Sequence, residues 1–163
     1  VVLLLQHSDD DGALGVVLNR PSGTDVDEVL PGWQDLAAGP STVFVGGPVQ
    51  PEGALCLGRL RPGAAGTRVA PLPGNPLLAT VDLDAPPDDV APLVQRVRVF
   101  AGCAGWSPGQ LEGEVEEGSW WVLDSLPGDP FTPEPDLLWR QVLRRQGGTL
   151  SLVSTYPEDP THN

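Results

Sequence analysis

The chain has 163 residues and a formal net charge of −13, from 22 acidic and 9 basic residues. This length favours one domain, and roughly two thirds of the unfolded surface can be buried in a core. The composition excludes collagen, a coiled coil, a disulfide-stapled miniprotein and a membrane span. The negative charge disfavours direct binding to nucleic acid, whose phosphates are held mainly by clustered Lys and Arg.

Strands and one short helix are predicted for the first half of the chain. Apolar runs at residues 1–6 and 13–19 predict a hairpin, joined by an Asp-rich turn and ended at Arg20-Pro21. Residues 24–30 favour a helix with Thr24 as its N-cap, ended by Pro31-Gly32. Further strands are predicted at residues 42–45, 54–59, 67–70 and 77–83.

The second half is predicted to mix helices and strands. A short helix at residues 88–95 precedes an alternating Arg/apolar strand at 96–101. Ser107, Pro108 and Gln110 form a capping box for a helix that runs to about Glu117. The rest is predicted as a strand at 120–124, a helix at 132–147, a strand at 150–153 and a surface tail at 156–163.

The order of these elements is rich in strands and begins with hairpins. It predicts an α+β fold (mixed α/β) with a largely antiparallel or mixed sheet, flanked by a few short helices in a single compact domain over residues 1–163. Cys56 and Cys103 stand alone in apolar stretches, without the spacing of a metal or redox site. We therefore expect buried free thiols in a reducing compartment.

His7 is the most reactive-looking residue because Asp9, Asp10 and Asp11 follow it. Histidine and carboxylates can hold a divalent metal or exchange protons. The alternative is an Asp-rich turn that solvates a hairpin, with His7 closing a strand. The spacing of a calcium loop is absent, so we expect no metal and assign no catalytic residue.

Two other local patterns each allow a functional and a structural interpretation. Gly46-Gly47 after a strand could let the backbone approach a phosphate, or could form a sharp turn or bulge. Neither the dinucleotide-binding nor the P-loop pattern occurs, so no cofactor is expected. The charge run Glu112–Glu117 is most simply a solvated helix face. Trp120 and Trp121 would face opposite sides of a strand, one of them in the core and the other at an interface.

Three stretches resemble the YqgE/AlgH family of bacterial proteins: HSDDDGALGVVLNRP at 7–21, VGGPV at 45–49 and AGCAGWSPGQLEGEVEEGSWWVL at 101–123. Cys103 departs from the aromatic residue that the family usually has there. The resemblance also implies a strand and a Pro-containing loop upstream of Val1. The positions that match the family pattern are His7, Gly12, Asn19, Pro21, Gly46, Gly47, Pro48, Gly102, Trp106, Gln110, Glu112 and Trp120.

This resemblance implies a compact fold with a mixed sheet, a cytoplasmic location and no established enzymatic activity. Some family members are labelled transcriptional regulators, a label that the charge argument opposes here. The ligand-binding candidates are His7, Asn19, Gly46, Gly47, Trp106 and Gln110.

The hypothesis we favour is a non-enzymatic binding or regulatory protein that acts through a protein or small-ligand partner, with a homo-oligomer possible. One alternative is an enzyme that uses His7 with nearby carboxylates. That alternative expects a concave site that brings His7 near Asn19 and Gln110. The other is a regulator that contacts DNA directly, for which affinity would fall steeply with added salt.

Overall fold

A computed structural model describes residues 1–156, and its strands join into one mostly antiparallel sheet with short helices around it. The predicted α+β fold class is confirmed. The strands are β1 (Val2–Ser8), β2 (Gly12–Val17), β3 (Pro21–Asp25), β4 (Thr42–Val45), β5 (Val49–Leu60), β6 (Val69–Leu72), β7 (Asn75–Val81) and β8 (Val94–Trp106). The helices are α1 (Val26–Val29), α2 (Pro87–Val90), α3 (Gln110–Glu116), α4 (Leu138–Arg144) and α5 (Gly148–Val153), with 3-10 turns at Asp129–Phe131 and Pro135–Leu137.

The long strand β8 organises the sheet. The main order is β1-β2-β8-β5-β7-β6, and β4 joins β8 in parallel through the pair Phe44 and Phe100. Successive side chains of a strand point to opposite faces. Accordingly Val99 belongs to one buried cluster and Phe100 to the other, and both are at most 1% exposed. The sheet therefore has an apolar core on each face.

Two predictions in the first part of the chain are wrong in detail. Strand β2 ends at Val17, before its predicted stop at Arg20-Pro21, and Pro21 begins a further strand, β3, because Pro is tolerated at the first residue of a strand. The predicted helix at 24–30 shrinks to Val26–Val29, and Asp25 rather than Thr24 is its N-cap residue. Pairing of β3 with β4 occupies the residues that were expected to start the helix.

The structure also changes the elements around β8. The helix expected at 88–95 covers only Pro87–Val90, since β8 already begins at Val94. β8 continues beyond its predicted end at residue 101 through a glycine-rich stretch. A Cβ at Gly102 would lie 2.5 Å from the carbonyl oxygen of Gly47, so this close crossing requires glycine. The glycine at position 102 reflects tight packing within the sheet.

The C-terminal third departs most from prediction. Residues 120–124 form no strand in the part of the chain that the structure describes. The predicted helix at 132–147 is a 3-10 turn followed by α4, and the predicted strand at 150–153 lies inside helix α5. Gly147 and Gly148 both have positive φ. This left-handed backbone ends α4 and turns the chain into α5. The predicted tail lies, from residue 157 onward, outside the described residues.

A buried arginine fastens the segment before α4 to the sheet. Arg98 of β8 is 1% exposed, and its guanidinium lies 4.0 Å from the ring centre of Phe44. It donates to five backbone carbonyls, those of Ala38, Gly39, Pro40, Pro130 and Thr132, at 2.8–3.2 Å. Burial lowers its pKa to about 10. These bonds hold the segment at residues 130–132 and so position α4.

Candidate functional site

Helix α3 begins immediately after β8 because of a partial capping box. The side-chain oxygen of Gln110 accepts a hydrogen bond from the backbone N–H of Ser107 at 3.0 Å. The Ser107 hydroxyl does not cap the helix, since Gly109 in a left-handed conformation is the N-cap residue. The helix thus starts at Gln110, two residues later than a full capping box with Ser107 as N-cap would place it. This start puts the acidic residues of α3 close to the ends of β1 and β8.

The carboxylate of Glu114 is the centre of a hydrogen-bond network. It accepts from the indole N–H of Trp106 at 3.0 Å and of Trp120 at 2.7 Å, and from the Gln110 amide at 2.9 Å. The two indole rings meet edge to face, with centroids 6.0 Å apart. Hydrogen bonds from Trp120, Gln110 and Trp106 lower the pKa of Glu114. The interpretation of this helix as a plain solvated face missed these bonds.

His7 of strand β1 and Glu112 of helix α3 form a hydrogen-bonded pair beside this network. His7 Nε2 and Glu112 Oε1 are hydrogen-bonded, and both side chains remain more than 40% exposed. The bond from His7 is the main cause that lowers the pKa of Glu112. The aspartates next to His7 were the expected partners. Instead Asp11 closes its own turn, since its N–H donates to Ser8 Oγ at 2.9 Å.

A pair of this kind can exchange a proton with a bound molecule. It does not provide the three or more ligands of a metal site, and no such cluster occurs within residues 1–156.

The structure brings together three of the six candidates. His7, Trp106 and Gln110 all lie in the network that surrounds α3. Asn19 is at the other end of β1, where its Oδ1 accepts from the amino group of Val1 at 2.8 Å. His7 is six positions along the chain from Val1, or about 20 Å at a rise of 3.3 Å per residue.

Gly46 and Gly47 lie against the backbone of β8. The N–H of Gly46 donates to the Ala101 carbonyl at 2.8 Å. A Cβ at Gly47 would stand 2.3 Å from the backbone of Cys103, and one at Gly46 would stand equally close to Gly102. Their surroundings are protein backbone, which matches the turn-or-bulge interpretation of these two glycines.

An apolar groove of about 490 Å³ opens beside this network. Its walls are the start of β1, the inner side of α3, the segment 119–125 and the apolar side of α4. Four tryptophans line it: Trp106, Trp120, Trp121 and Trp139. Trp121 is 54% exposed and the adjacent Val122 is 75% exposed. The adjacent tryptophans were the one sequence signal for this surface, but their expected strand geometry was wrong.

Charges in the groove are few. Asp129 and Arg145 form a two-pronged ion pair at 2.6–2.7 Å, which raises the pKa of Arg145. Arg145 also donates to the backbone carbonyl of Asp124 at 3.0 Å. Within the described residues the carboxylate of Asp124 has no partner of its own. The groove therefore combines an apolar interior with one unpaired negative charge.

The chain is similar to a family of bacterial proteins. The AlgH-like family model matches residues 1–151. The UPF0301 protein SCO2948 of Streptomyces coelicolor is 53% identical over 166 residues, covering 100% of this chain and 85% of the relative. A UPF0301 protein of Mycobacteroides abscessus is 52% identical, covering 100% and 78%.

Two solved structures have the same fold. Protein DIP2367 from Corynebacterium diphtheriae has a TM-score of 0.88 at 34% identity, over 96% of this chain and 82% of that chain. The AlgH protein from Pseudomonas aeruginosa has a TM-score of 0.66 at 27% identity, over 97% and 84%. No helix among the described residues is both long and apolar enough to cross a membrane.

Proposed function

We propose that this chain, which belongs to the AlgH-like family, is a non-enzymatic binding protein with a regulatory role. It acts through a protein or small-ligand partner held in the tryptophan-lined groove. The groove carries the proposal: its volume of about 490 Å³ falls in the range of roughly 300–1,000 Å³ typical of ligand sites. Trp121 and Val122 leave apolar surface in water, and exposed apolar patches of this kind mark interaction sites.

The enzyme alternative has one supporting observation, the His7–Glu112 pair. Acid–base catalysis requires the pair to face a bound substrate within hydrogen-bond reach. His7 is not among the residues that line the groove, and Asn19 lies at the far end of β1. Binding in the groove is therefore better supported than a reaction at His7.

The charge of the chain bears on the class of partner, and its thiols bear on the compartment. A net charge of −13 repels a phosphate backbone, so the partner we propose is not nucleic acid. Cys56 is buried and unpaired, and Cys103 is also a free thiol. Free thiols suit a reducing compartment, so we propose that the protein works in the cytoplasm.

A thermal-shift screen over nucleotides, metals, fatty acids and short peptides tests this function. A ligand at 100 times its Kd adds roughly 2.7 kcal/mol to the free energy of unfolding. The shift should disappear in Trp121→Ala and persist in Leu77→Ala, which truncates an equally exposed apolar side chain on β7. Substrate turnover that is lost in His7→Ala and retained in Trp121→Ala would instead establish the enzyme.

A further inference from the structure

Two indoles of the groove are fixed by one carboxylate. The N–H groups of Trp106 and Trp120 both donate to Glu114 Oε2, at 3.0 and 2.7 Å, and the two rings meet edge to face with centroids 6.0 Å apart. The Gln110 amide donates to the other carboxylate oxygen at 2.9 Å. Both indoles line the groove. Since their N–H groups are already used, they contribute aromatic ring surface to it and no free hydrogen-bond donor.

This arrangement makes the aromatic wall electron-rich. The face of an aromatic ring carries partial negative charge, and tryptophan attracts cations most strongly. An indole that donates its N–H to a carboxylate is polarised further in the same sense, as linked hydrogen bonds polarise one another. The Glu114 carboxylate is ionised at neutral pH, because bonds from Trp120, Gln110 and Trp106 hold its pKa below the ordinary value. The two rings therefore present a negative surface with a full negative charge bonded to their N–H edges.

The other charges of the groove have the same sign. Arg145 is the one basic side chain among the described residues of the lining, and Asp129 neutralises it through two hydrogen bonds at 2.6–2.7 Å. The carboxylate of Asp124 has no partner within residues 1–156. The chain as a whole carries −13. An anionic ligand would meet repulsion and no unpaired cation here, whereas a cationic ligand finds both carboxylates and ring faces.

From this wall we infer, on the basis of the function proposed above, that the groove binds an organic cation, a substituted ammonium group attached to an apolar body. The ammonium group lies against the rings of Trp106 and Trp120, whose N–H edges are held by Glu114. Aromatic surfaces of this kind are typical sites for substituted ammonium groups. The apolar body fills the aliphatic part of the groove. All of the aromatic and charged side chains of the lining lie between residues 106 and 145, and the start of β1 adds only aliphatic side chains.

Isothermal titration calorimetry with three probes that share a six-carbon chain tests the inference. The probes are the cation hexyltrimethylammonium, the neutral N,N-dimethylhexanamide and the anion hexanesulfonate. Salt at about 0.15 M limits attraction between exposed charges to about 8 Å. We expect the ammonium probe to bind about tenfold more tightly than the amide, and the sulfonate to bind more weakly than either.

Glu114→Gln separates the charge of this residue from its role as an acceptor. The glutamine keeps one side-chain oxygen for the indoles, so the variant should weaken the ammonium probe about fivefold and leave the amide unchanged. The matched control is Glu116→Gln, which removes the same charge from the same helix without removing an indole hydrogen bond. It should leave both affinities close to those of the parent chain. If Glu114→Gln does not fold, Asp124→Asn removes the other carboxylate and should also weaken the ammonium probe alone.

Equal binding of the ammonium and amide probes would overturn the cation and leave the binding function intact. Equal losses of ammonium affinity in Glu114→Gln and Glu116→Gln would also overturn it, since attraction to the net charge would then explain the binding. Failure of all three probes alongside a hit in the thermal-shift screen would overturn this inference alone. Failure of every ligand would overturn both.

One further measurement checks that the groove is open to a ligand in a longer chain. The same titration is run on a chain extended to the full length of its Streptomyces relative, of which the match covers 85%. Retained binding of the ammonium probe supports the inference. Loss of that binding in the extended chain would overturn it, because the groove would then be filled by the protein's own polypeptide.

Discussion

Replacing Arg98 by lysine tests how the segment before α4 is held against the sheet. The guanidinium donates five hydrogen bonds to backbone carbonyls, from Ala38 to Thr132. A lysine ammonium has three donors, so at least two of the five carbonyls lose their partner. The bonds to Ala38, Pro130 and Thr132 are buried, and those to Gly39 and Pro40 are part-buried. A buried acceptor left unpaired costs about 1–3 kcal/mol and a part-buried one less, so Arg98→Lys should lower the free energy of unfolding by about 1–6 kcal/mol.

Urea denaturation followed by tryptophan fluorescence measures this loss. The matched control is Arg96→Lys, two residues earlier on β8 and exposed to solvent, which should change stability by no more than about 0.5 kcal/mol. Arg98→Met should be worse than Arg98→Lys, because it leaves every one of the carbonyls unpaired. A loss below about 1 kcal/mol in Arg98→Lys would refute the reasoning, since buried acceptors would then cost less than their desolvation requires.

Three further predictions follow from the same structure. The pKa of Glu114 is lowered from 4.5 in the folded protein, so the stabilisation that its ionised carboxylate gives to the fold is complete above pH 4.5 and is lost as the pH falls through the lower folded pKa. The indole N–H resonances of Trp106 and Trp120 should therefore shift below pH 4.5, and they should not shift in Glu114→Gln. Gly47→Ala should cost more than Gly63→Ala in a urea titration, because only the former places a Cβ against backbone, at 2.3 Å. Asp129→Asn should cost about 1–3 kcal/mol by the same measurement, because the side chain at this buried position then offers Arg145 one acceptor oxygen in place of two; an unchanged midpoint would contradict it.

The strands were predictable where local pattern and tertiary pairing agree. The hairpin of β1 and β2 follows from two apolar runs and an Asp-Gly turn, and the structure pairs them as expected. The same reasoning predicted that β8 ends at residue 101, because glycine usually weakens or interrupts strands. Gly102 is required there by the close approach of Gly47, a contact that depends on two distant segments and leaves no local signature.

The candidate site was only half predictable for a similar reason. His7 and Gln110 were singled out, yet the partner of His7 is Glu112, 105 residues away in the chain. The nearby aspartates were more conspicuous because sequence proximity suggested contact. Likewise Glu114 belonged to a charge run, and only the positions of Trp106 and Trp120 make it an acceptor. Pairings of this range are set by topology, which sequence periodicity does not specify.

The network and the groove are linked through α3. This helix has no fully buried residue, so burial alone cannot fix it against the sheet. Its attachments are polar, with His7 bonded to Glu112 and two indoles bonded to Glu114. Both indoles, those of Trp106 and Trp120, also line the groove. Trp106 and Trp120 therefore belong both to the Glu114 network and to the groove lining, so we expect an occupant of the groove to change the indole bonds that hold α3.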